Sequence, residues 1–373
     1  MKKFIFVLLI FPIFLSAQNI NNPNDNEPSR DVSIAKNGDI TIRWKFPEYN
    51  PKTISENNTD FQKLMIPGFG FMHDIGKPDL PAYIDHIGIP ETSEANISIN
   101  DITYHPVKKD ILLFPSQPPR QDNYKVDDPP FTMDTTFYNS STSFPASHIS
   151  VDETQKLRDI KVAAIQIIPF QYNAVQKKLK SVKEISLTIQ YSGNPNSITD
   201  GSQHSDQFAK IAGNYFLNGS QIANQISSTT STQTHKDPDY LIITTQQFLP
   251  AAEKLSQWKS QLGFIPEILV KNNWNSGQVK NIIHNKYNDY SPKPDYFVIL
   301  GDHQDVPGEI STGHNNAIFA SDHYYSCMDG PGDYTSDIAR GRISAASLSE
   351  ANAIIDKIIN YEKFPVTDSS FYE

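Results

Sequence analysis

The residues able to do chemistry crowd into positions 301–342. The chain has one cysteine, Cys327, with His303, His314 and His323 close in sequence. A thiolate beside an imidazole is a nucleophile. Here Asp322, Asp329 and Asp333 flank the thiol, and negative neighbours raise its pKa. His314 sits in TGHNN and follows no apolar strand. Cys327 therefore reads as structural. Asp329, Asp333 and Asp337 recur every fourth residue in DGPGDYTSD. A hard cation needs several oxygens, carbonyls included, from a loop free to wrap around it. The pattern is no EF-hand, and a solvated acidic loop is the alternative. Gly301-Asp302-His303-Gln304-Asp305 closes an apolar run, where glycine permits a sharp turn and the carboxylates emerge at a rim. A turn with Asp305 capping backbone amides is the plainer reading. Arg340 and Arg342, in DIARGR, can each fork a carboxylate, of a substrate or within the sheet.

The elements that must position these residues alternate between strand and helix. YLIIT (Tyr240–Thr244) is a continuous apolar run, as expected of a strand buried on both faces. Phe248, Ala252, Leu255, Trp258 and Leu262 then form one helical stripe that Gly263 ends. A second strand covers Ile265–Val270, and Val279, Ile282, Ile283, Tyr287 and Tyr290 mark a second helix. Tyr296–Leu300 is a third apolar strand. Ser347-Leu348-Ser349-Glu350 reads as a capping box opening a helix with Ala351, Ile354, Ile355 and Ile358 inward. The alternation predicts a parallel, helix-covered sheet over 238–373, with chemistry at the strand C-terminal ends.

Residues 31–192 differ. Strand candidates at Asp39–Phe46, Phe61–Ile66, Ala95–His105, Lys161–Ile168 and Glu184–Tyr191 are punctuated by Pro and Gly. In ISLTIQY, Ile185, Leu187, Ile189 and Tyr191 point one way and Ser186, Thr188 and Gln190 the other. This predicts an antiparallel β-sandwich. Residues 18–30 are polar and aperiodic, read as a disordered lead-in. Residues 193–237 are rich in Ser, Thr, Asn and Gln, read as a linker with some order around Phe208 to Leu217.

The formal net charge is −10, which disfavours a nucleic-acid partner. Residues 1–17, MKKFIFVLLIFPIFLSA, have a basic start, a short apolar stretch and small residues at the end, the pattern of a signal peptide. Its removal leaves 30 basic against 42 acidic residues, a balance of −12. The expectation is a secreted or surface protein with no membrane span after the signal is removed. A single cysteine makes no internal disulfide, so stability rests on packed cores. Asn57, Asn96, Asn139 and Asn218 fit glycosylation triplets. No Walker loop or dinucleotide fingerprint occurs, which counts against a nucleotide-binding enzyme.

Taken in order, YLIIT, WKSQLGF, ILGDHQDVP, SDHYYSCMDG, DIARGRISA and IIDKIINYEK resemble the first subdomain of gingipain-type cysteine peptidases. PGFG, GKPDLP, FPSQPP and PFQYNAVQKKLKSVKEISLTIQY resemble that family's propeptide. The resemblance covers roughly residues 39–192 and 238–365. It implies a secreted endopeptidase zymogen with a caspase-like α/β catalytic fold, a latency-keeping prodomain and bound calcium. Protein or peptide substrates, with Arg or Lys before the scissile bond, are implied as well. The family's histidine, in Gly-His-Gly, and its cysteine, ending the next strand, lie downstream of the IIDKIINYEK helix. The resemblance thus implies that this chain carries the propeptide and an incomplete catalytic domain, without the dyad. No residue of this chain is assigned a catalytic role.

The family's calcium loop maps onto this chain at Asp333 and Asp337 by side chain and at Asp329 and Thr335 by carbonyl, with Asp302 closing the site from a strand end. Latency implies a basic residue on an exposed prodomain loop that mimics a substrate, for which Arg120 in QPPRQD and Arg158 in KLRD are the candidates. The competing assignment is a non-catalytic secreted binding module with a degenerate α/β domain.

Overall fold

The computed structural model describes residues 15–16, 27–119, 129–230, 237–312 and 318–367. Apart from Leu15 and Ser16, the leader 1–17 lies outside the described residues, as do Arg120 and His314. The described chain forms two compact units. The first gathers residues up to Thr154 with Val162–Asn196 and Gly213–Ser220; the second gathers Gln155–Lys161, Ser197–Ala212 and Gln221–Glu373.

In the first unit the longest strand, Lys178–Tyr191, pairs antiparallel with Ile40–Lys45 on one side and Ala95–Tyr104 on the other. Ser29–Ile34 adds antiparallel to Ile40–Lys45. A second sheet orders Ile149–Leu157, Ile160–Ile167, Pro81–Ile89 and Gly70–Phe71. The alternation read from ISLTIQY sends Ile185, Leu187 and Ile189 inward with Ile40, Ile42 and Trp44. They meet Ile87, Ile89, Ala163, Ile165 and Ile167 of the second sheet, which completes a sandwich. Burial of these side chains stabilises the unit by about 1.5–3 kcal/mol each. Two expectations shift. Ser29 and Arg30, placed in the lead-in, begin a strand, and the Arg30 side chain is buried against Asp85. Asn218 is buried and exchanges hydrogen bonds with the backbone of Gly88, so its triplet is closed off in the folded chain.

The expected linker 193–237 instead carries two helices, Asp206–Tyr215 and Gly219–Thr230. Phe208, Ala209, Ala212, Phe216, Ile222 and Ile226 are buried along them. The reason is sparse but regular spacing: apolar residues fall four apart among Ser, Asn and Gln. That is enough for one buried stripe, though propensity alone is weak. Residues 231–236 lie outside the described residues.

The second unit holds a four-stranded sheet in the order Pro266–Val270, Tyr240–Thr244, Tyr296–Leu300, Ala339–Ile343, every pair parallel. Ile242, Val298 and Leu300 face the helices Leu249–Gln261 and Leu348–Lys363 through Ala252, Leu255, Ala351 and Ile355. Leu241, Ile243, Phe297 and Ile299 face the opposite layer, which includes Val279 and Ile283 of helix Ser276–Asp289. Both faces are dry, which is why these strands read as unbroken apolar runs. Leu262 departs from the expected stripe: it caps the helix C-terminus and is exposed. At Ser347 the hydroxyl accepts from Glu350 N as predicted, but the Glu350 carboxylate accepts from Ala346 N, one residue before the cap. Among the described residues no helix is long and apolar enough to cross a membrane.

Candidate functional site

Two rims of the parallel sheet carry polar chemistry. At the C-terminal rim, Gly301 follows its strand with φ +131, and a Cβ there would meet Asp305 Cβ at 3.1 Å and Phe248 Cε2 at 3.3 Å. Only glycine allows this turn without strain. Asp305 Oδ2 accepts from Asp302 N at 3.3 Å, and Asp302 Oδ1 accepts from His303 N, so both carboxylates serve the turn. His303 Nδ1 accepts from Gly308 N at 3.0 Å. Arg342 ties the rim together. Its Nε and Nη2 fork Asp322 at 2.8 and 2.7 Å, and Nη1 donates to the carbonyls of Gly301 and Val306. Arg340 reaches the hydroxyls of Ser326 and Ser336.

The acidic loop lies at the other rim. Asp337 precedes the strand Ala339–Ile343, whereas Asp302 follows the strand Tyr296–Leu300, and these strands run parallel in register. By that register Asp337 lies level with Pro294, eight residues short of Asp302, about 26 Å along the sheet at the usual rise. Asp302 therefore cannot close a site with Asp337, which corrects both its assignment and the expected place of the loop. Asp329, Asp333 and Asp337 do converge, each offering a carboxylate oxygen within 4.8 Å of the others. Asp333 Oδ1 accepts from Thr335 N and its Oδ2 from Asp329 N. Asp337 accepts from Arg158 N and Met328 N. Burial pushes the Asp337 carboxyl up to about 6; the two N–H donors oppose this, and Asp329 and Asp333 add to it. Thr335 sits in the same loop, its hydroxyl donating to Gln155 Oε1.

Oxygens bound to one calcium at about 2.4 Å can lie no more than about 4.8 Å apart. The three carboxylates meet that limit, and Gly330 and Gly332 let the loop wrap at positive φ. The donor set fits a hard cation.

Cys327 is buried, with Sγ 3.6 Å from His323 Nε2. The distance suggests a thiol–imidazole pair, but the hydrogen bonding opposes it. His323 Nε2 also lies 3.1 Å from the Tyr334 carbonyl, which only accepts, so Nε2 carries the proton and is no base toward sulfur. Burial pushes the thiol pKa up, and Asp333 adds to this.

Arg158, expected on an exposed loop, is buried within the second unit. Its Nη2 donates to Asp295 Oδ1 and the Pro294 carbonyl, both at 3.1 Å, and its Nε to the Asp337 carbonyl at 2.9 Å. The guanidinium stacks over Phe208 at 4.1 Å. No sequence signal marked this cage, because Phe208 and His204 were read as linker and Asp295 precedes its strand without a motif.

Two family profiles match consecutive stretches of the chain: Propeptide_C25 over residues 21–226 and Peptidase family C25 over residues 233–372. Among curated relatives, Lys-gingipain of Porphyromonas gingivalis is 26% identical over 346 residues, 88% of this chain and 19% of the relative. Gingipain R2 of the same organism is 24% identical over 304 residues, 79% of this chain and 39% of the relative. The chain thus spans about a fifth to two fifths of the length of these relatives. A solved complex of P. gingivalis RgpB pro- and mature domains matches at 20% identity and TM-score 0.45, covering 53% of this chain and 99% of that one.

Proposed function

Because the chain belongs to the gingipain-type C25 peptidases, propeptide included, we propose that it is the front portion of an exported cysteine endopeptidase zymogen. The reading is carried by order: the propeptide profile ends at residue 226 and the peptidase profile begins at residue 233 of the same chain. A β-sandwich followed by a parallel sheet supports the same division of labour. The full reaction would be acyl transfer from a protein or peptide to a thiolate, then hydrolysis. The nucleophile is not Cys327, whose thiol is buried, held neutral and without a free imidazole nitrogen. The leader 1–17 directs export, and the propeptide region associates with the catalytic region to keep it latent. Arg120 remains the candidate for the substrate-mimicking residue.

Asp329, Asp333 and Asp337 would hold a structural calcium ion through their converging carboxylates, with Thr335 contributing through the backbone of the same loop. The ion would offset the mutual repulsion of three carboxylates beside the start of the Ala339–Ile343 strand. It supplies no catalytic step.

The deciding experiment compares purified residues 18–373 with a longer precursor carrying the downstream sequence. Peptides with Arg or Lys before the scissile bond should be cleaved by the matured longer protein and not by residues 18–373. Cleavage by the shorter protein, abolished in Cys327→Ala, would overturn the assignment.

A further inference from the structure

The second unit is assembled from both matched stretches. Arg158, Asp159, His204, Ser205 and Phe208 come from the propeptide match; Tyr287, Pro294, Asp295 and Asp337 come from the peptidase match. At its centre, Arg158 occupies the left-handed region with φ +58. Such a backbone strains an L-residue and persists only where the surroundings over-determine it. The surroundings do. The Arg158–Asp295 ion pair is 1% exposed on both sides. The second Asp295 oxygen accepts from Ser205 Oγ at 2.5 Å. Every nitrogen of the guanidinium has an acceptor: Nη2 has Pro294 O and Asp295, Nε has Asp337 O, and Nη1 has His204 Nδ1 at 3.4 Å. The planar group lies over Phe208, with Tyr287 at 5.9 Å. Planar stacking combined with directed acceptors selects a guanidinium over an ammonium.

We propose that Pro294, Asp295, Asp337 and Tyr287 form a guanidinium-recognition site on the peptidase region. Its resident ligand is Arg158, and the pair holds the propeptide piece in place after the chain is cut between residues 226 and 233. The proposal rests on the reading of these stretches as propeptide and peptidase. The site lies where the strands Tyr296–Leu300 and Ala339–Ile343 begin, the opposite rim from Gly301 and Asp302. In parallel sheets the chemistry forms beyond the strand C-termini. Arg158 is therefore a tether and not a substrate mimic, and retention is separable from blockade of the reactive rim. Removing one partner of a buried ion pair strands the other charge, so loss of Arg158 is felt in full.

The test places a site-specific protease sequence within residues 231–236 of the chain 18–373. The chain is then cut, and the dissociation rate of the two pieces is measured by surface plasmon resonance. Wild-type pieces should co-elute in gel filtration. Arg158→Ala should accelerate dissociation on the order of 100-fold. Arg158→Lys, which keeps the charge and loses the fork, should fall between the two. Arg43→Ala, which removes an exposed ion pair with Glu184, should leave the rate unchanged. Guanidinium at millimolar concentration should slow dissociation of the Arg158→Ala pieces, where sodium at equal ionic strength does not. Circular dichroism of the uncut variants reports folding; if Arg158→Ala does not fold, Arg158→Lys and Asp295→Asn decide. Immediate separation of the wild-type pieces, or equal rates for wild type and the folded Arg158 or Asp295 variants, would overturn the tether. None of these readouts needs peptidase activity, so a chain that proved not to be a peptidase would leave the result readable.

Discussion

The backbone N–H of Arg158 donates to Oδ1 of Asp337 at 2.6 Å, while Nε of the same arginine donates to the Asp337 carbonyl at 2.9 Å. The other Asp337 oxygen accepts from Met328 N at 2.8 Å. One buried carboxylate thus serves two backbone donors, and its main chain serves a guanidinium. Asp337→Asn keeps the shape but turns one acceptor into a donor. One of the two N–H groups would then face an amide N–H₂. The expected cost is about 1–3 kcal/mol, read as a lowered urea midpoint in the presence of EDTA. A midpoint equal to wild type would show that the carboxylate carries no net role there.

The pH dependence of the same cage follows from His204. Burial pushes its pKa down; Asp159 opposes this, and Arg158 and Lys293 push it further down. The neutral ring donates from Nε2 to Asp159 Oδ1 at 2.7 Å and turns Nδ1 toward Arg158. Burial alone would raise the Asp159 carboxyl, but hydrogen bonds from His204, Asp200 N and Thr199 hold it below the usual range. Below the ordinary histidine value of 6.5 the unfolded chain takes up a proton that the folded chain resists. Stability is therefore full above about pH 6.5 and falls as pH drops below it. Denaturation midpoints at pH 7.5 and 5.0 should differ more for wild type than for His204→Gln. A histidine-independent slope would contradict the neutral tautomer.

Much of this architecture is visible in the sequence because its physics is local. YLIIT and YFVIL are apolar throughout since both faces of their sheet are covered, and ISLTIQY alternates since one face is not. The helices at 206–230 escaped notice because their apolar residues are thinly spread among Ser, Asn and Gln. The convergence of Asp329, Asp333 and Asp337 follows from one loop and is legible in spacing. The separation of Asp302 depends on strand direction and register, which spacing does not carry. The Arg158 cage is less legible still, since its partners sit 46, 137 and 179 residues away in the chain.

Calcium should raise the melting temperature of residues 18–373, and EDTA should reverse it. At a free concentration 100 times the dissociation constant the gain is about 2.7 kcal/mol. Asp333→Asn should abolish the shift. Asp302→Asn should leave it intact, because Asp302 stands at the opposite rim. Loss of the shift in Asp302→Asn would reject the placement of the site.

The C-terminal rim depends on Gly301. Its φ of +131 is open to few residues besides glycine, and an added methyl would press on Asp305 and Phe248. Gly301→Ala should lower stability by about 1–3 kcal/mol, measured by urea denaturation. The Arg342–Asp322 fork, which is anchored on the Gly301 carbonyl, should loosen with it. Hydrogen exchange around Val306 and Gly308 would register this as faster exchange. A fully tolerated alanine would mean that the turn relaxes freely and does not fix the rim.

Cys327 should be a slow nucleophile in the native fold. Burial and the Asp333 charge raise its pKa, and the proton on His323 Nε2 points to the Tyr334 carbonyl. Thiolate is the reactive form, so alkylation of the native protein at pH 7.5 should be far slower than that of free cysteine. It should become fast in denaturant, which separates burial from intrinsic reactivity. Cys327→Ser keeps a donor for the His323 carbonyl, now 3.5 Å from Sγ, and should fold normally. A native thiol that alkylates rapidly, with an apparent pKa below the ordinary cysteine value, would return Cys327 to the list of nucleophile candidates.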